Sequence, residues 1–329
     1  MRLDWASLLD LLRQSDDFLL TSHIRPDCDA LGSELGMAAV LESLGKKVRI
    51  VNAQATPPGL AFMDPDKKIE SLEGGVKPES LHGCGLLVVL DTSAFAQLGP
   101  MGDVVRAVRP KVVVIDHHVS EDDLCDRWFK DTAAEATGRI VTEIALRLGV
   151  KPTVPIASPL FCAMATDTGW FRFPSTSGET FRIAARLVDA GASPAATYRD
   201  LFEQDTLPRL NLVGRALAGA VTSHDGKVIK SEVRQADFKA TGARAGDTED
   251  LINTTLTVKG TQLAYILIEL ADGKVKVSFR SRSHVDASKL AAEFGGGGHK
   301  AAAGATLDGP FESAVDRVVA AVDAAWQAA

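Results

Sequence analysis

The chain has 329 residues, of which 46% are apolar and 24% are charged, and its formal net charge at pH 7 is −7. This length allows two domains, and the composition is that of a globular protein. The negative charge argues against a protein that coats long nucleic acid, and no apolar run approaches the roughly 18 residues of a membrane span. Because the N-terminus lacks the apolar segment of a signal peptide, we expect a cytoplasmic protein that binds neither membranes nor long duplexes.

The first half of the chain alternates predicted strands and helices. This alternation is typical of a doubly wound parallel sheet with helices on both faces. Segment 53–84, rich in Pro and Gly, is predicted to be a loop with little regular structure. The predicted strands lie near 17–22, 47–52, 85–91 and 111–116, and the predicted helices near 29–44, 100–108, 135–148 and 155–166.

The second half begins with a helical pattern over 178–220 and then changes character. Strands are predicted near 228–233, 263–270 and 274–280, with a hairpin turn between the last two. Helices near 248–256, 286–294 and 311–327 complete a smaller α+β unit. We therefore predict an α/β domain at 1–190, a helical linker at 191–220 and the smaller domain at 221–329.

Acidic and histidine side chains follow three of the predicted strands. Because the carboxyl ends of parallel strands meet at one edge of a sheet, we expect these side chains to lie close together. A further acid, Asp167, ends a predicted helix, where the helix dipole disfavours a carboxylate that has no compensating partner. The side chains that follow the strands are His23, Asp27 and Asp29, then Asp91, and then Asp116, His117 and His118.

Each of these residues has a purely structural explanation when it is taken alone. Asp27 or Asp29 would serve as a helix N-cap, and Asp91 as a turn residue. Together, four of these aspartates and two of these histidines, all at the ends of core elements, fit two divalent ions that share one carboxylate, an arrangement that can activate water for attack on phosphorus. Mixed His and Asp ligands favour Mn²⁺ over Mg²⁺, which prefers oxygen ligands.

The smaller domain contains features suited to binding phosphate. Four glycines at 295–298 precede His299 and Lys300, so backbone N–H groups can turn toward an anion without interference from a Cβ. Arg280 and Arg282, at the end of a predicted strand and just beyond it, have strand spacing and would project from one face. A flexible turn and a solvated strand face are the alternatives for these two segments.

These segments together resemble the DHH/DHHA1 phosphoesterase family, and within it most closely the NrnA-like bifunctional oligoribonucleases and PAP phosphatases. Five segments match family motifs, and they occur in the family's order over nearly the whole chain. The resemblance implies a DHH metal-binding catalytic domain followed by a DHHA1 substrate-binding domain, with the active site in the cleft between them. The matching segments are 23–33, Asp91, 116–118, 165–169, and 295–299 with 302–304.

The resemblance also implies a role for each site residue. Asp116 would orient the histidine ligands, and His118 would face the scissile phosphate as a catalytic group. One ion would be held by His23, Asp27 and Asp91, and the other by Asp29, Asp91, His117 and Asp167, so that Asp91 bridges them. The substrate's terminal nucleotide would be bound by Arg280, Arg282, Gly297, Gly298 and His299.

The implied activity is hydrolysis of short oligoribonucleotides to mononucleotides with two Mn²⁺ ions, or Mg²⁺ in their place. Dephosphorylation of 3′-phosphoadenosine 5′-phosphate (PAP) is an additional activity to be tested. The closest enzyme alternative is a stand-alone phosphodiesterase for cyclic dinucleotides or the linear dinucleotide pApA. The non-enzyme alternative is a nucleotide-binding regulator. Substrate rank, polarity of degradation and oligomeric state stay open, with a homodimer as the working hypothesis.

Overall fold

The computed structural model describes residues 3–108, 112–120, 122–125 and 127–328. It divides the chain into two units, Met1–Gln204 and Asp205–Ala329. The boundary falls inside the predicted linker 191–220, and the two helices of that segment belong to different units. They are α7 (Pro194–Phe202) in the first unit and α8 (Leu207–Ala218) in the second.

Six parallel strands form the sheet of the first unit, in the order β3-β2-β1-β4-β5-β6. The edge strands β3 and β6 have three residues each, and β3 interrupts segment 53–84, where a loop was predicted. Two 3₁₀ helices also lie in that segment, so the loop prediction was wrong in part. The strands are β1 (Asp17–Thr21), β2 (Lys47–Asn52), β3 (Ile69–Ser71), β4 (Leu86–Leu90), β5 (Val112–Asp116) and β6 (Trp128–Lys130).

The chain reverses its direction of growth across the sheet between β1 and β4. After β1 it builds β2 and β3 on one side, and it then returns to place β4, β5 and β6 on the other. A doubly wound sheet opens a crevice at the carboxyl ends of the two strands that flank such a switch point. The topology therefore locates the candidate site beyond the ends of β1 and β4.

Helices cover both faces of this sheet, as the predicted fold class requires. Alternate residues along β1, β4 and β5 enter two separate apolar clusters, so the interior positions of these strands are apolar on both faces. Leu20, Val88 and Ile115 belong to one cluster, and Leu19, Val89 and Val114 to the other. The remaining helices of the unit are α1 (Trp5–Gln14), α2 (Cys28–Ser43), α3 (Met101–Val108), α4 (Thr137–Arg147), α5 (Val154–Asp167) and α6 (Gly178–Asp189).

Helices α2 and α5 pack with their backbones in close contact at Gly32. A Cβ at this position would lie 2.4 Å from the carbonyl oxygen of Pro159 and 2.9 Å from the Cβ of Ala163. Only glycine allows this approach, because a side chain would overlap main-chain atoms. The contact fixes the start of α2 relative to the end of α5, where Asp167 lies.

The second unit is α+β, as predicted. Its six-stranded sheet has the order β11-β12-β10-β9-β8-β7, and only β8 and β9 pair in parallel. The strands are β7 (Val221–Ser223), β8 (Val228–Val233), β9 (Leu263–Glu269), β10 (Val275–Ser281), β11 (Gly297–His299) and β12 (Ala302–Leu307). The helices after α8 are α9 (Gln235–Thr241), α10 (Leu251–Thr255), α11 (Ala287–Ala292) and α12 (Phe311–Gln327).

Among the residues that the structure describes, no helix combines the length and apolarity needed to cross a bilayer.

A carboxyl group is buried in the interior of the first unit, on α2. Glu34 is 0% exposed, and its Oε2 accepts a hydrogen bond of 2.9 Å from Asn52 Nδ2. Burial raises the pKa of Glu34 from its ordinary 4.5 to about 7, although the hydrogen bond from Asn52 opposes the shift. The charged form of this group is therefore costly in the folded protein.

The close contact at Gly32 predicts opposite effects for one substitution at two helical glycines. Gly32→Ala should lower the free energy of unfolding by about 1–3 kcal/mol, because the methyl group forces α2 and α5 apart. Gly214→Ala in α8 should raise it by up to about 1 kcal/mol, because a Cβ there meets no atom within 4 Å and alanine favours the helix. Denaturant unfolding of both variants measures the difference, and equal effects would contradict the packing argument.

The buried carboxyl predicts a pH-dependent effect of Glu34→Gln. A raised folded-state pKa means that the stability contributed by Glu34 is complete below pH 4.5 and is lost as pH rises through about 7. In metal-free protein, the glutamine variant should match the wild type at about pH 4 and exceed its unfolding free energy by roughly 3 kcal/mol at pH 8. The exposed Glu79→Gln is the control, and a pH-independent difference would contradict the prediction.

Candidate metal centre

The end of each core strand positions one group of the candidate site. Asp27 caps α2, and its Oδ1 accepts hydrogen bonds from the backbone N–H groups of Asp29 and Ala30. Asp91 directly follows β4 with φ of 61°, in the left-handed region that few non-glycine residues adopt. This backbone conformation turns the chain sharply at the sheet edge, where Asp91 meets residues that follow β1.

One group of donors gathers His23, Asp27 and Asp91. His23 Nε2 is 3.4 Å from Asp91 Oδ2 and 3.9 Å from Asp27 Oδ1. Donor atoms at these separations leave room for an ion at roughly 2.1 Å from each. The three side chains therefore have the spacing of a metal site.

A second group gathers Asp29, His117 and Asp167. His117 Nε2 is 3.8 Å from Asp29 Oδ2 and 3.6 Å from Asp167 Oδ2. It is also 3.6 Å from Asp91 Oδ1. Asp91 thus presents one carboxylate oxygen to each donor group, which is the arrangement that a bridging ligand needs.

Backbone carbonyls fix the tautomers of His23 and His117, the histidines of the two donor groups. His23 Nδ1 lies 2.9 Å from the carbonyl oxygen of Ile24, and His117 Nδ1 lies 3.3 Å from that of Ala134. Because a carbonyl only accepts, each Nδ1 carries the proton, and each Nε2 presents its lone pair to the acids. In the neutral imidazoles, both Nε2 atoms can therefore accept a metal ion.

The carboxyl groups of the centre are crowded and largely buried. Burial, followed by the charges of Asp91 and Asp167, raises the pKa of Asp29 well above its ordinary value. Burial and the charge of Asp27 do the same to the pKa of Asp91. Burial also raises the pKa of Asp167, although His117 opposes it. Cations bound among these carboxyl groups would offset both the cost of burying their charge and the repulsion between them. The donor set therefore fits divalent metal ions.

The N-terminus of α4 supports this cluster, and the sequence analysis missed it. Asp29 Oδ2 accepts from the backbone N–H of Thr137 at 2.7 Å, and Asp29 Oδ1 accepts from that of Gly138 at 2.8 Å. The Thr137 hydroxyl donates to Asp91 Oδ1 at 2.9 Å. A helix N-terminus suits anions, and Thr137-Gly138 at the start of the predicted helix was the available signal.

Asp116 and His118 form a hydrogen-bonded pair beside these two groups, and together with Asp91 and His117 they make up a third group of possible donors. Asp116 Oδ1 lies 2.8 Å from His118 Nδ1, and Asp116 Oδ2 accepts a short hydrogen bond from the Ser93 hydroxyl. Burial would raise the pKa of Asp116, but these hydrogen bonds outweigh it and lower the pKa. The hydrogen bond to Asp116 raises the pKa of His118. Asp116 therefore orients His118, whereas the Ala134 carbonyl holds His117.

A cavity of about 320 Å³ opens over the cluster. Its wall includes the predicted His23, Asp27, Asp91, His117, His118 and Asp167. Polar residues that the sequence analysis did not single out complete the wall. They are Thr92, Ser93, Gln97 and Ser120, which follow β4 and β5.

In the second unit, the glycine run forms a hairpin with the next strand. Gly297, Gly298 and His299 make up the exposed strand β11, which pairs with β12. At Gly298, with φ of +145°, a Cβ would lie 2.6 Å from the carbonyl oxygen of Ala302. Close strand packing therefore accounts for this glycine before any ligand is considered.

The two predicted arginines of this unit differ in their surroundings. Arg280 lies on β10, is partly buried and donates to the carbonyl of Phe279 at 3.1 Å. Arg282 lies just beyond β10, is exposed and donates to the carbonyl of Leu256 at 3.5 Å. Binding of substrate by these arginines and by β11 stays a prediction.

Two family models match this chain. Residues 17–166 match the DHH family, N-terminal domain, and residues 225–328 match the DHHA1 domain. The first interval includes all the candidate ligands except Asp167, which directly follows it. The second interval contains β11 and both arginines.

Relatives match over most of the chain. The bifunctional oligoribonuclease and PAP phosphatase NrnA of Thermus thermophilus is 33% identical over 305 residues, which cover 92% of this chain and 88% of the relative. The protein of the same name from Bacillus subtilis is 27% identical over 321 residues, which cover 96% of each. The crystal structure of an exopolyphosphatase-related protein from Bacteroides fragilis has a TM-score of 0.83 and 26% identity, covering 98% of this chain and 95% of that chain. These similarities confirm the predicted family and fold class, and the chain belongs to the DHH/DHHA1 phosphoesterase family.

Proposed function

We propose that the chain hydrolyses short oligoribonucleotides to mononucleotides with two divalent metal ions, and that it also dephosphorylates PAP. The observation that carries this proposal is the position of Asp91, whose two oxygens face two separate groups of His and Asp donors. The names of the Thermus and Bacillus relatives support the substrate class. The net charge of −7 suits a small anionic substrate held by a local site better than a long nucleic acid.

The proposed ligands divide between the two donor groups. His23 and Asp27 would hold one ion, Asp29, His117 and Asp167 the other, and Asp91 both. The bound ions would supply the Lewis acidity that activates water and neutralises charge at phosphorus. Imidazole nitrogen in each group favours Mn²⁺, with Mg²⁺ as the alternative.

His118 is the proposed catalytic group for the phosphate. Its Nδ1 is held by Asp116, and its ring lines the cavity over the acids. The same hydrogen bond favours the protonated imidazole. The free ring nitrogen can then donate to a phosphate oxygen or give its proton to the leaving oxygen. Asp116 acts through His118 and is a positioning residue.

In this proposal, the second unit binds the terminal nucleotide of the substrate. Arg282 and His299 are exposed, and Gly297 and Gly298, which directly precede His299, expose the backbone of β11. A guanidinium binds phosphate with two parallel hydrogen bonds, and exposed glycine N–H groups add further donors. Arg280 would contribute from β10, where it is partly buried.

The bridging role of Asp91 predicts the effect of Asp91→Asn on metal binding and on activity together. The variant should bind fewer than two Mn²⁺ per chain and lose more than about a hundredfold in kcat, because removing a shared ligand weakens both positions. Metal stoichiometry and Mn²⁺-dependent turnover of pApA, a five-residue RNA, PAP, cyclic dinucleotides and pyrophosphate provide the measurements. The exposed Asp66→Asn is the matched control.

The same panel separates the competing functions. Wild-type turnover of the short RNA, pApA and PAP is the expected result. Preferred hydrolysis of cyclic dinucleotides would favour the phosphodiesterase alternative. Tight nucleotide binding without metal or turnover would favour the regulator, and full activity of Asp91→Asn would rule out the bridging role.

The different roles of the two adjacent histidines predict different losses on substitution. His118→Ala should lower kcat by roughly a hundredfold or more while its Mn²⁺ dissociation constant stays within about threefold of the wild type. His117→Ala should instead weaken Mn²⁺ binding, because its Nε2 faces three carboxylates. Metal titration and steady-state kinetics test both, with the exposed His82→Ala as control. Equal loss of metal by the two variants would make His118 a ligand.

A further inference from the structure

A buried polar network lies next to His23, and none of the proposed metal ligands belongs to it. Its centre is Asn52 at the end of β2, which is 1% exposed. Asn52 Oδ1 accepts from the backbone N–H of Ser22 at 3.1 Å and from the Thr21 hydroxyl at 3.2 Å. Asn52 Nδ2 donates to Glu34 Oε2 at 2.9 Å. The network thus joins β1, β2 and α2.

The Ser22 N–H and Glu34 together fix the orientation of the Asn52 amide. The N–H of Ser22 can only donate, so it requires the oxygen of the amide. The amide nitrogen then faces α2, where Oε2 of Glu34 accepts a hydrogen bond from it. A flipped amide would leave Ser22 N–H and Glu34 both unpaired in the interior, which costs more than a hydrogen bond contributes.

The network holds the chain at the point where strand β1 and its pairing within the sheet end. Thr21 is the last residue of β1, and Ser22 connects it to His23. Beyond this point the side-chain amide of Asn52 accepts the hydrogen bond from the Ser22 N–H. The direction of the His23 ring toward Asp91 therefore depends on a side chain of the neighbouring strand.

We propose that Asn52 and Glu34 are positioning residues that fix the Ser22 peptide and thereby aim His23 Nε2 at the metal position beside Asp91. The inference rests on the proposed metal-dependent function. Glu34 lies on the same helix as Asp29 and follows the helix cap Asp27. The network therefore connects the segment after β1, which carries His23, to helix α2, whose start carries Asp27 and Asp29.

A second link between Glu34 and Ser22 supports this assignment. Ser22 Oγ and Glu34 Oε1 are both buried, and neither completes a well-formed hydrogen bond to any residue that the structure describes. The Ser22 hydroxyl is nevertheless close enough to lower the pKa of Glu34. This proximity would connect Glu34 to the residue before His23.

The test compares Mn²⁺ affinity in four variants of the full chain. Asn52→Leu removes the acceptor of Ser22 N–H and should raise the Mn²⁺ dissociation constant about tenfold to a hundredfold, as loss of a residue that orients a ligand does. Glu34→Leu should do the same. Glu34→Gln keeps an oxygen for Asn52 and should stay within about threefold of the wild type. Leu81→Ala, a buried substitution outside the network, controls for lost stability.

Three results distinguish positioning from mere packing. The double variant Asn52→Leu/Glu34→Leu should lose no more affinity than one single variant, because both residues act through one link. Saturating Mn²⁺ should restore most of the kcat of Asn52→Leu, and the NMR signals of the His23 ring should shift in the metal-free variant. If Asn52→Leu does not fold, Asn52→Ser replaces it with the same expected loss.

Wild-type Mn²⁺ affinity in the Asn52 variant would overturn the inference, as would an equal loss in Leu81→Ala. Additive losses in the double variant would also overturn it, because they would mean two separate links. A wild-type chain that binds no Mn²⁺ would instead reject the proposed function, so the two failures are distinguishable.

Discussion

The mutual repulsion of buried carboxylates is the constraint on which the candidate site depends. Asp29 and Asp91 lie together in the interior, at the point where the sheet opens. The fold meets part of the electrostatic cost with its own dipoles, since the start of α4 directs two N–H groups at Asp29. The remaining charge makes this edge of the sheet attractive to cations, so the instability of the cluster and its proposed chemistry have the same origin.

Helix α2 connects this cluster to the rest of the first unit. Its first turn contributes Asp27 and Asp29, its middle packs against α5 at Gly32, and Glu34 projects into the polar network at Asn52. One helix therefore meets three separate requirements. This combination explains why α2 is buried on almost every side and why its sequence is apolar without an amphipathic pattern.

Much of the fold and the candidate cluster could be predicted because both leave strong local signals. The interior positions of β1, β4 and β5 are apolar, and the acids and histidines lie at or just beyond the ends of these strands, so their meeting at one edge follows from the topology. The edge strands β3 and β6 were missed because three residues carry no detectable period. Thr137, Gly138 and Asn52 were missed because their roles come from long-range hydrogen bonds, which no spacing in the sequence reveals.

The hydrogen bond from Thr137 to Asp29 joins residues 108 positions apart. The cluster also includes Asp167, which lies at the end of α5. Domains generally fold as units while the ribosome synthesises the chain from its N-terminus. The first candidate ligands, His23, Asp27 and Asp29, are thus made long before the residues they meet, and the nascent chain must keep these side chains solvated until α4 and α5 emerge. The site is therefore assembled late in the synthesis of the chain, although some of its residues are among the first to be made.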